Sequence, residues 1–203
     1  MEVQFAVSKI SKWASRESGD TLEMIERPHG GLSMVLVDGQ TSGRSAKNIS
    51  NVVARKAVQL LGEGVRDGAA ARAAHDYLFT YRSGKVSATL NILSVDTNTR
   101  TIVISRNNEA PVLVRTATDG FYLLDDESKA VGVHRNTKPV IAEIPIEVNT
   151  LVVAFTDGLR HAGTLSGRGV AYDPDEAFRR MVGAGRCDAR DIRDELLAEA
   201  LAM

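Results

Sequence analysis

The order of secondary-structure signals predicts an α+β fold, with antiparallel sheets and helices packed outside them. Three observations lead there. Strand-length apolar segments open the chain, two amphipathic helices follow, and a run of closely spaced strands comes next. Nothing in that order repeats the strand–helix alternation of a parallel sheet. With 203 residues, 43% of them hydrophobic, the chain can bury a sizeable core and reads as one domain over 1–203.

Val3, Phe5 and Val7 alternate with polar residues, the period of a half-buried strand. Residues 22–27 and 32–37 are two further strands, the second so apolar that burial of both faces is expected. Ser42 stands where it can cap a helix carrying Ala46, Ile49, Val53, Ala57, Leu60 and Leu61 at three- and four-residue spacing, ending near Gly62 and Gly64. Asp67 is placed to cap a second helix over 69–81, ending before Gly84. Strands over 88–95, 101–105, 111–116, 121–124, 138–144 and 151–155 follow. Helices over 174–182 and 188–201 come last, the latter with Ile192, Leu196, Leu197 and Leu201 on one stripe. Residues 163–169 form a glycine-rich loop.

Charge and composition exclude several classes. Lys+Arg total 25 against Asp+Glu 26, a net charge of -1, which argues against nucleic acid as a partner. No run of 18 apolar residues exists, so no membrane span is expected. The first residues lack the basic region and apolar stretch of a secretory signal. The single cysteine, Cys187, cannot form an internal disulfide, which fits a reducing cytoplasm. No base-containing motif surrounds it, so it is not read as a catalytic thiol.

Four Asp-Gly pairs punctuate the chain. Asp119-Gly120 joins two strand-like runs as a hairpin turn does, and Asp67-Gly68 marks a helix start. Asp38-Gly39 and Asp157-Gly158 differ, because each aspartate leaves a strongly apolar strand with no return strand behind it. A carboxylate at a buried strand end is costly to desolvate unless a positive charge neutralises it. A divalent cation does so, and the adjacent glycine lets a backbone carbonyl approach the same ion. Asp20, after Gly19 and just before a strand, is a third candidate, although taken alone it reads as a turn residue. Three such carboxylates, with almost no competing His or Cys chemistry, point to an oxygen-ligated, dinuclear site for hard cations such as Mg²⁺ or Mn²⁺. Two such ions roughly 4 Å apart bind a phosphate and activate the water between them.

Gly19-Asp20, the run from Leu36 to Gly43 around Asp38-Gly39, and Phe155-Thr156-Asp157-Gly158-Leu159 together resemble the metal motifs of metal-dependent type-2C (PPM) serine/threonine protein phosphatases. The compact size, and the helix directly after Asp-Gly-x-x-Ser-Gly, are most similar to the SpoIIE-like bacterial branch and its small stressosome phosphatases of the RsbX type. Residues 86–90 and 105–111 occupy the places of two further signatures, the second altered where Asn107-Asn108 replace a usual Gly-His pair.

The resemblance implies a four-layer α-β-β-α sandwich of two antiparallel sheets with the metals at one end. It implies that Asp38 bridges two Mn²⁺ or Mg²⁺ ions and that the Gly39 carbonyl binds one of them through water. Asp20 and Asp157 would complete the shell of the other ion, and a metal-held water would attack phosphorus. The family normally ends with an Asp-Asp-x-[Ser/Thr] motif opening a last strand. Here residues 199–203 still read as helix, and Asp188, Asp191 and Asp194 precede or lie on it rather than a strand. A domain without that last strand and its aspartate is therefore expected, or a natural chain that continues past Met203.

Arg16, four residues before Asp20, matches a phosphate-binding arginine of the family's eukaryotic relatives; its bland reading is an exposed salt-bridge partner. Residues 39–45 have something of a P-loop, but the glycines are one residue too close and arginine replaces the lysine. His29, His75, His134 and His161 show no ligand spacing and read as surface or capping residues, with His161 four residues beyond Asp157. The expected function is a Mn/Mg-dependent phosphoserine/phosphothreonine phosphatase acting on phosphorylated STAS-domain or stressosome proteins, as a monomer or weak dimer. The alternatives are a catalytically weak phosphoprotein-binding module of the same fold and, less favoured, a P-loop nucleotide binder.

Overall fold

The structure, a computed structural model, describes residues 2–10, 18–164 and 171–203. Within these residues the chain forms two compact units. The first to be described comprises 18–111 and Asp125–Ile146 and holds five strands. They are β1 (Asp20–Glu26), β2 (Leu32–Gly39), β3 (Ala88–Asp96), β4 (Thr101–Asn107) and β7 (Val140–Pro145), joined in the order β1-β2-β3-β4-β7 with every pair antiparallel. Between β2 and β3 the chain makes two helices, α1 (Gly43–Gly62) and α2 (Asp67–Arg82).

The α1 stripe of Ala46, Ile49, Val53, Ala57 and Leu61 is buried, as its spacing predicts. Ile49, Val53, Ala57 and Leu61 of that stripe join Val35 and Val37 of β2, Leu90 and Ile92 of β3, and the small residues Ala70, Ala71 and Ala74 of α2 in one apolar cluster. β2 alternates strictly: Ser33, Val35, Val37 and Gly39 are buried, and Leu32, Met34, Leu36 and Asp38 are half-buried. The expectation that both of its faces are buried is thus corrected. Successive residues point to opposite sides, and only the odd-numbered set lies under α1.

The second unit comprises 2–10, Val112–Leu124 and the described part of 147–203. Its sheet runs β6-β5-β8, from β5 (Val112–Thr116), β6 (Gly120–Leu124) and β8 (Leu151–Val153). Asp119-Gly120 makes the expected hairpin turn: Thr116 pairs with Gly120, which takes φ +70°, and the Thr116 hydroxyl accepts the Asp119 amide at 2.9 Å. The helices here are α3 (Asp157–Arg160), α4 (Pro174–Gly183) and α5 (Ala189–Leu201). Phe178 of α4 sets its ring 5.8 Å from that of Phe121 on β6. Asp188 caps α5, accepting the Arg190 and Asp191 amides at 2.8 and 3.2 Å.

Four expectations need correction. Residues 2–10 form no strand despite their alternation, because a strand needs a hydrogen-bonding neighbour that a local pattern cannot supply. Asp67 is the first residue of α2 rather than its cap; its buried carboxylate accepts the Ser94 hydroxyl and lies 3.7 Å from the Arg27 guanidinium. His75 is 1% exposed, accepting the Gly132 amide at Nδ1, 3.0 Å away. Leu201 stays 64% exposed, so the α5 stripe is buried only through Ile192 and Leu196. The loop over 163–169 falls partly outside the described residues.

Candidate metal centre

The β1–β2 register places Asp20 directly opposite Asp38, and Thr21 opposite Val37. Directly opposed residues share a face, with Cβ atoms about 4.5–5.5 Å apart. The period of two then sorts this end of the hairpin. Asp20 and Asp38 project to one side, and Thr21 and Gly39 to the side covered by α1. Both aspartates are half-buried, whereas Thr21 and Gly39 are buried. Two like charges directly opposed on a sheet repel. A divalent cation held by both carboxylates converts that cost into a binding site.

Gly39 is fixed by close packing. A Cβ there would stand 2.1 Å from the Ala46 carbonyl oxygen and 2.8 Å from its carbon, both backbone atoms of α1. Only glycine lets the strand run this near the helix. The loop that follows is braced by Gln40, whose amide donates to the Ser87 carbonyl at 3.0 Å and whose side-chain oxygen accepts the Ser87 amide at 2.9 Å. Thr41 takes φ +80° inside that loop, a strained conformation for a branched residue. Ser42 precedes α1 but makes no side-chain cap.

Residues of α1 fasten the other aspartate's strand, and sequence reasoning missed them. The Lys47 ammonium donates to the Asp20 carbonyl at 2.7 Å and to the Thr21 hydroxyl at 2.8 Å. The Ser50 hydroxyl donates to the Gly19 carbonyl at 2.5 Å, and Thr21 donates to Asn51 Oδ1 at 2.8 Å. The available signal was Ser50 itself, a polar residue on the buried stripe between Ile49 and Val53.

Asp157 belongs to the second unit, where it opens α3 four residues after Val153, the last residue of β8. Its carboxylate is 61% exposed and lies 4.0 Å from His161 Nε2. The expectation of a buried strand exit is therefore corrected to an exposed helix start. Arg16 lies outside the described residues. The structure thus brings Asp20, Asp38 and Gly39 together in one unit. Among the described residues no group of three or more His, Cys, Asp or Glu side chains is gathered closely enough to hold a metal ion.

The altered signature has a structural task. Arg106, 2% exposed, donates to the Asn108 carbonyl at 2.5 Å and to the Asp126 carbonyl. Burial holds its guanidinium below the usual arginine range, opposed by the nearby charges of Asp126 and Asp125. Asn107 Nδ2 donates to the carbonyls of Lys129 and Lys138 at 2.9 and 3.2 Å, and Asn108 Oδ1 accepts the Ala110 amide at 3.0 Å. Within the same loop, Val131 bridges to Ala88, the residue paired with Gly39.

The donor set at Asp20, Asp38 and the Gly39 carbonyl is all hard oxygen, which suits Mg²⁺ or Mn²⁺ rather than a thiophilic metal. No described helix is long and apolar enough to cross a membrane.

The sequence profile of Stage II sporulation protein E (SpoIIE) matches residues 28–203. Among curated proteins none matches in sequence. Among solved structures, the PP2C phosphatase domain with a regulatory-domain fragment of SpoIIE from Bacillus subtilis superimposes at TM-score 0.74 and 18% identity, over 91% of this chain and 53% of that one. The RsbU and RsbW domains of Rv1364c from Mycobacterium tuberculosis give 0.67 and 18%, over 95% and 52%. RsbX in complex with magnesium gives 0.71 and 14%, over 93% and 83%. The chain spans about half the length of the first two. These likenesses show the fold, two antiparallel sheets with helices, as that of PP2C phosphatases. With the profile covering most of its length, the chain belongs to the SpoIIE family of PP2C-type protein phosphatases, which are hydrolases.

Proposed function

We propose that this chain is a Mn²⁺- or Mg²⁺-dependent phosphoserine/phosphothreonine phosphatase acting on phosphorylated regulatory proteins of the STAS-domain or stressosome kind, in the cytoplasm. The observation that carries the reading is the direct opposition of Asp20 and Asp38 beside the bare Gly39 backbone. Family membership and the magnesium bound by RsbX support the choice of cation. Resemblance to the small stressosome phosphatases supports the substrate class.

Bound cations supply Lewis-acid stabilisation of the phosphoryl oxygens and an acidified water. Asp38 and Asp20 hold the charge, and the Gly39 carbonyl adds a neutral donor. Asp157 is the third carboxylate of the reading, and Arg16 the phosphate ligand. The close packing of Gly39 on Ala46 and the Gln40–Ser87 brace keep Asp38 from turning away, so little ordering remains to be done when a phosphate ester arrives.

Phosphate release from p-nitrophenyl phosphate and from a phosphoserine protein, with Mn²⁺ and with chelator, tests this. Turnover that needs Mn²⁺ and vanishes in Asp38→Asn is expected; chelator-insensitive turnover contradicts it. A second reading, a weakly catalytic phosphoprotein-docking module, draws on the Asn107-Asn108 pair, whose side chains are committed to holding backbone. It predicts tight phosphoprotein binding without turnover.

A further inference from the structure

We propose that Lys47 is a positioning residue for the Asp20–Asp38 cation site. The inference rests on the metal-dependent phosphatase reading and adds a residue outside the ligand set.

The first residue of a strand frays unless its backbone acceptors are taken. At the mouth of β1 two successive carbonyls, Gly19 and Asp20, are taken by Ser50 and Lys47. These two side chains lie three apart on α1 and therefore on one face of the helix. Lys47 also grips the Thr21 hydroxyl, so one ammonium ties the Asp20 carbonyl to the side chain of the residue that follows it. Holding that carbonyl restrains the backbone at Asp20, and with it the Cα–Cβ bond from which the carboxylate leaves the strand. Thr21 is 3% exposed and Ser50 0%, which limits the access of water to these part-buried bonds.

The ammonium acts on cation affinity in two opposed ways. Its charge repels a dication, and its hydrogen bonds order a ligand of that dication. Removing it separates the two by sign. Charge alone predicts tighter Mn²⁺ binding without Lys47; positioning predicts weaker binding, of the size seen when a partner behind a metal ligand is lost, about tenfold or more.

The test is calorimetric titration of Mn²⁺ into the metal-free full chain, native, Lys47→Met and Lys47→Arg, with circular dichroism to establish that each is folded. Hydrogen exchange at the Asp20 and Thr21 amides is measured without metal. The expected result is about tenfold weaker binding and faster exchange in Lys47→Met, with most of the affinity restored in Lys47→Arg. Unchanged or tighter binding in folded Lys47→Met overturns the inference. Should that variant fail to fold, Ser50→Ala, which opens the neighbouring carbonyl, decides in the same way: weaker binding supports the inference and unchanged binding overturns it. A native chain that binds no Mn²⁺ overturns the phosphatase reading and this inference with it. Native binding that Lys47→Met leaves unchanged overturns the inference alone.

Discussion

Gly39→Ala tests how tightly Asp38 is built into the fold. The added methyl would stand 2.1 Å from the Ala46 carbonyl oxygen, with Ala46 C and Cα at 2.8 and 3.0 Å. An ordinary non-bonded separation is about 3.5 Å, so the strand and helix must part by about 1.4 Å. All three obstructing atoms are backbone, and no rotamer change relieves them. Ala46 is itself fully buried and sits on the buried stripe of α1 with Ile49, Val53 and Ala57, so a local shift disturbs the α1–sheet contact. Overpacking costs about 1–3 kcal/mol, and a backbone obstruction belongs at the upper end. For a chain of this length about 3 kcal/mol lowers the melting temperature by roughly 6–12 °C. Calorimetric melting of the metal-free protein reads this, with Gly183→Ala as comparison. Gly183 ends α4, and a Cβ there meets nothing within 4 Å, so that variant should melt within a few degrees of native. A Gly39→Ala protein melting within 2 °C of native, roughly 1 kcal/mol or less, would refute the close approach of strand and helix.

Three further outcomes follow from the same geometry. Arg106→Met leaves the buried carbonyl of Asn108 and the part-buried carbonyl of Asp126 without their donor and should cost about 1–3 kcal/mol in urea unfolding, the cost of one buried unsatisfied acceptor; a loss below 1 kcal/mol contradicts the anchoring role. Burial holds the His75 imidazole below its usual pKa, with Asp76 opposing and Arg72 assisting. The unfolded chain therefore takes up the proton first, and stability present above about pH 6.5 falls as the pH drops below it. Unfolding measured at pH 7.5 and 5.5 should show this decline, and His75→Asn should flatten it; an equal decline in the variant assigns it elsewhere. Asp157→Asn should leave the melting temperature unchanged, its carboxylate being 61% exposed, while Mn²⁺-dependent phosphate release falls on the order of 100-fold. Retained turnover would remove Asp157 from the site.

Much of the fold was legible because it rests on local periodicity. The α1 stripe and the β3 and β4 runs announce themselves at spacings of three to four and of two. The sequence also marked Asp20 and Asp38 as strand-end carboxylates, and the register then set them face to face. What stayed hidden depends on long-range pairing. Val3, Phe5 and Val7 carry a strand pattern without a strand partner. Asp157 reads as the end of an apolar run, but β8 stops at Val153 and the aspartate begins a helix. His75 looked like a surface residue because nothing nearby shows that the alanine-rich face of α2 carries it inward to Gly132. Lys47 carries no mark in the sequence. Its two acceptors lie 26 and 27 residues away, a separation no spacing rule reaches.

The central claim is that carboxylates from separate strands share a divalent cation. Crystals of the native chain grown with Mn²⁺ and measured at an energy where manganese scatters anomalously locate the ion without reference to activity. The account predicts an anomalous peak roughly 2.1 Å from carboxylate oxygens of Asp20 and Asp38. A peak bound by neither aspartate, at saturating Mn²⁺, would contradict it.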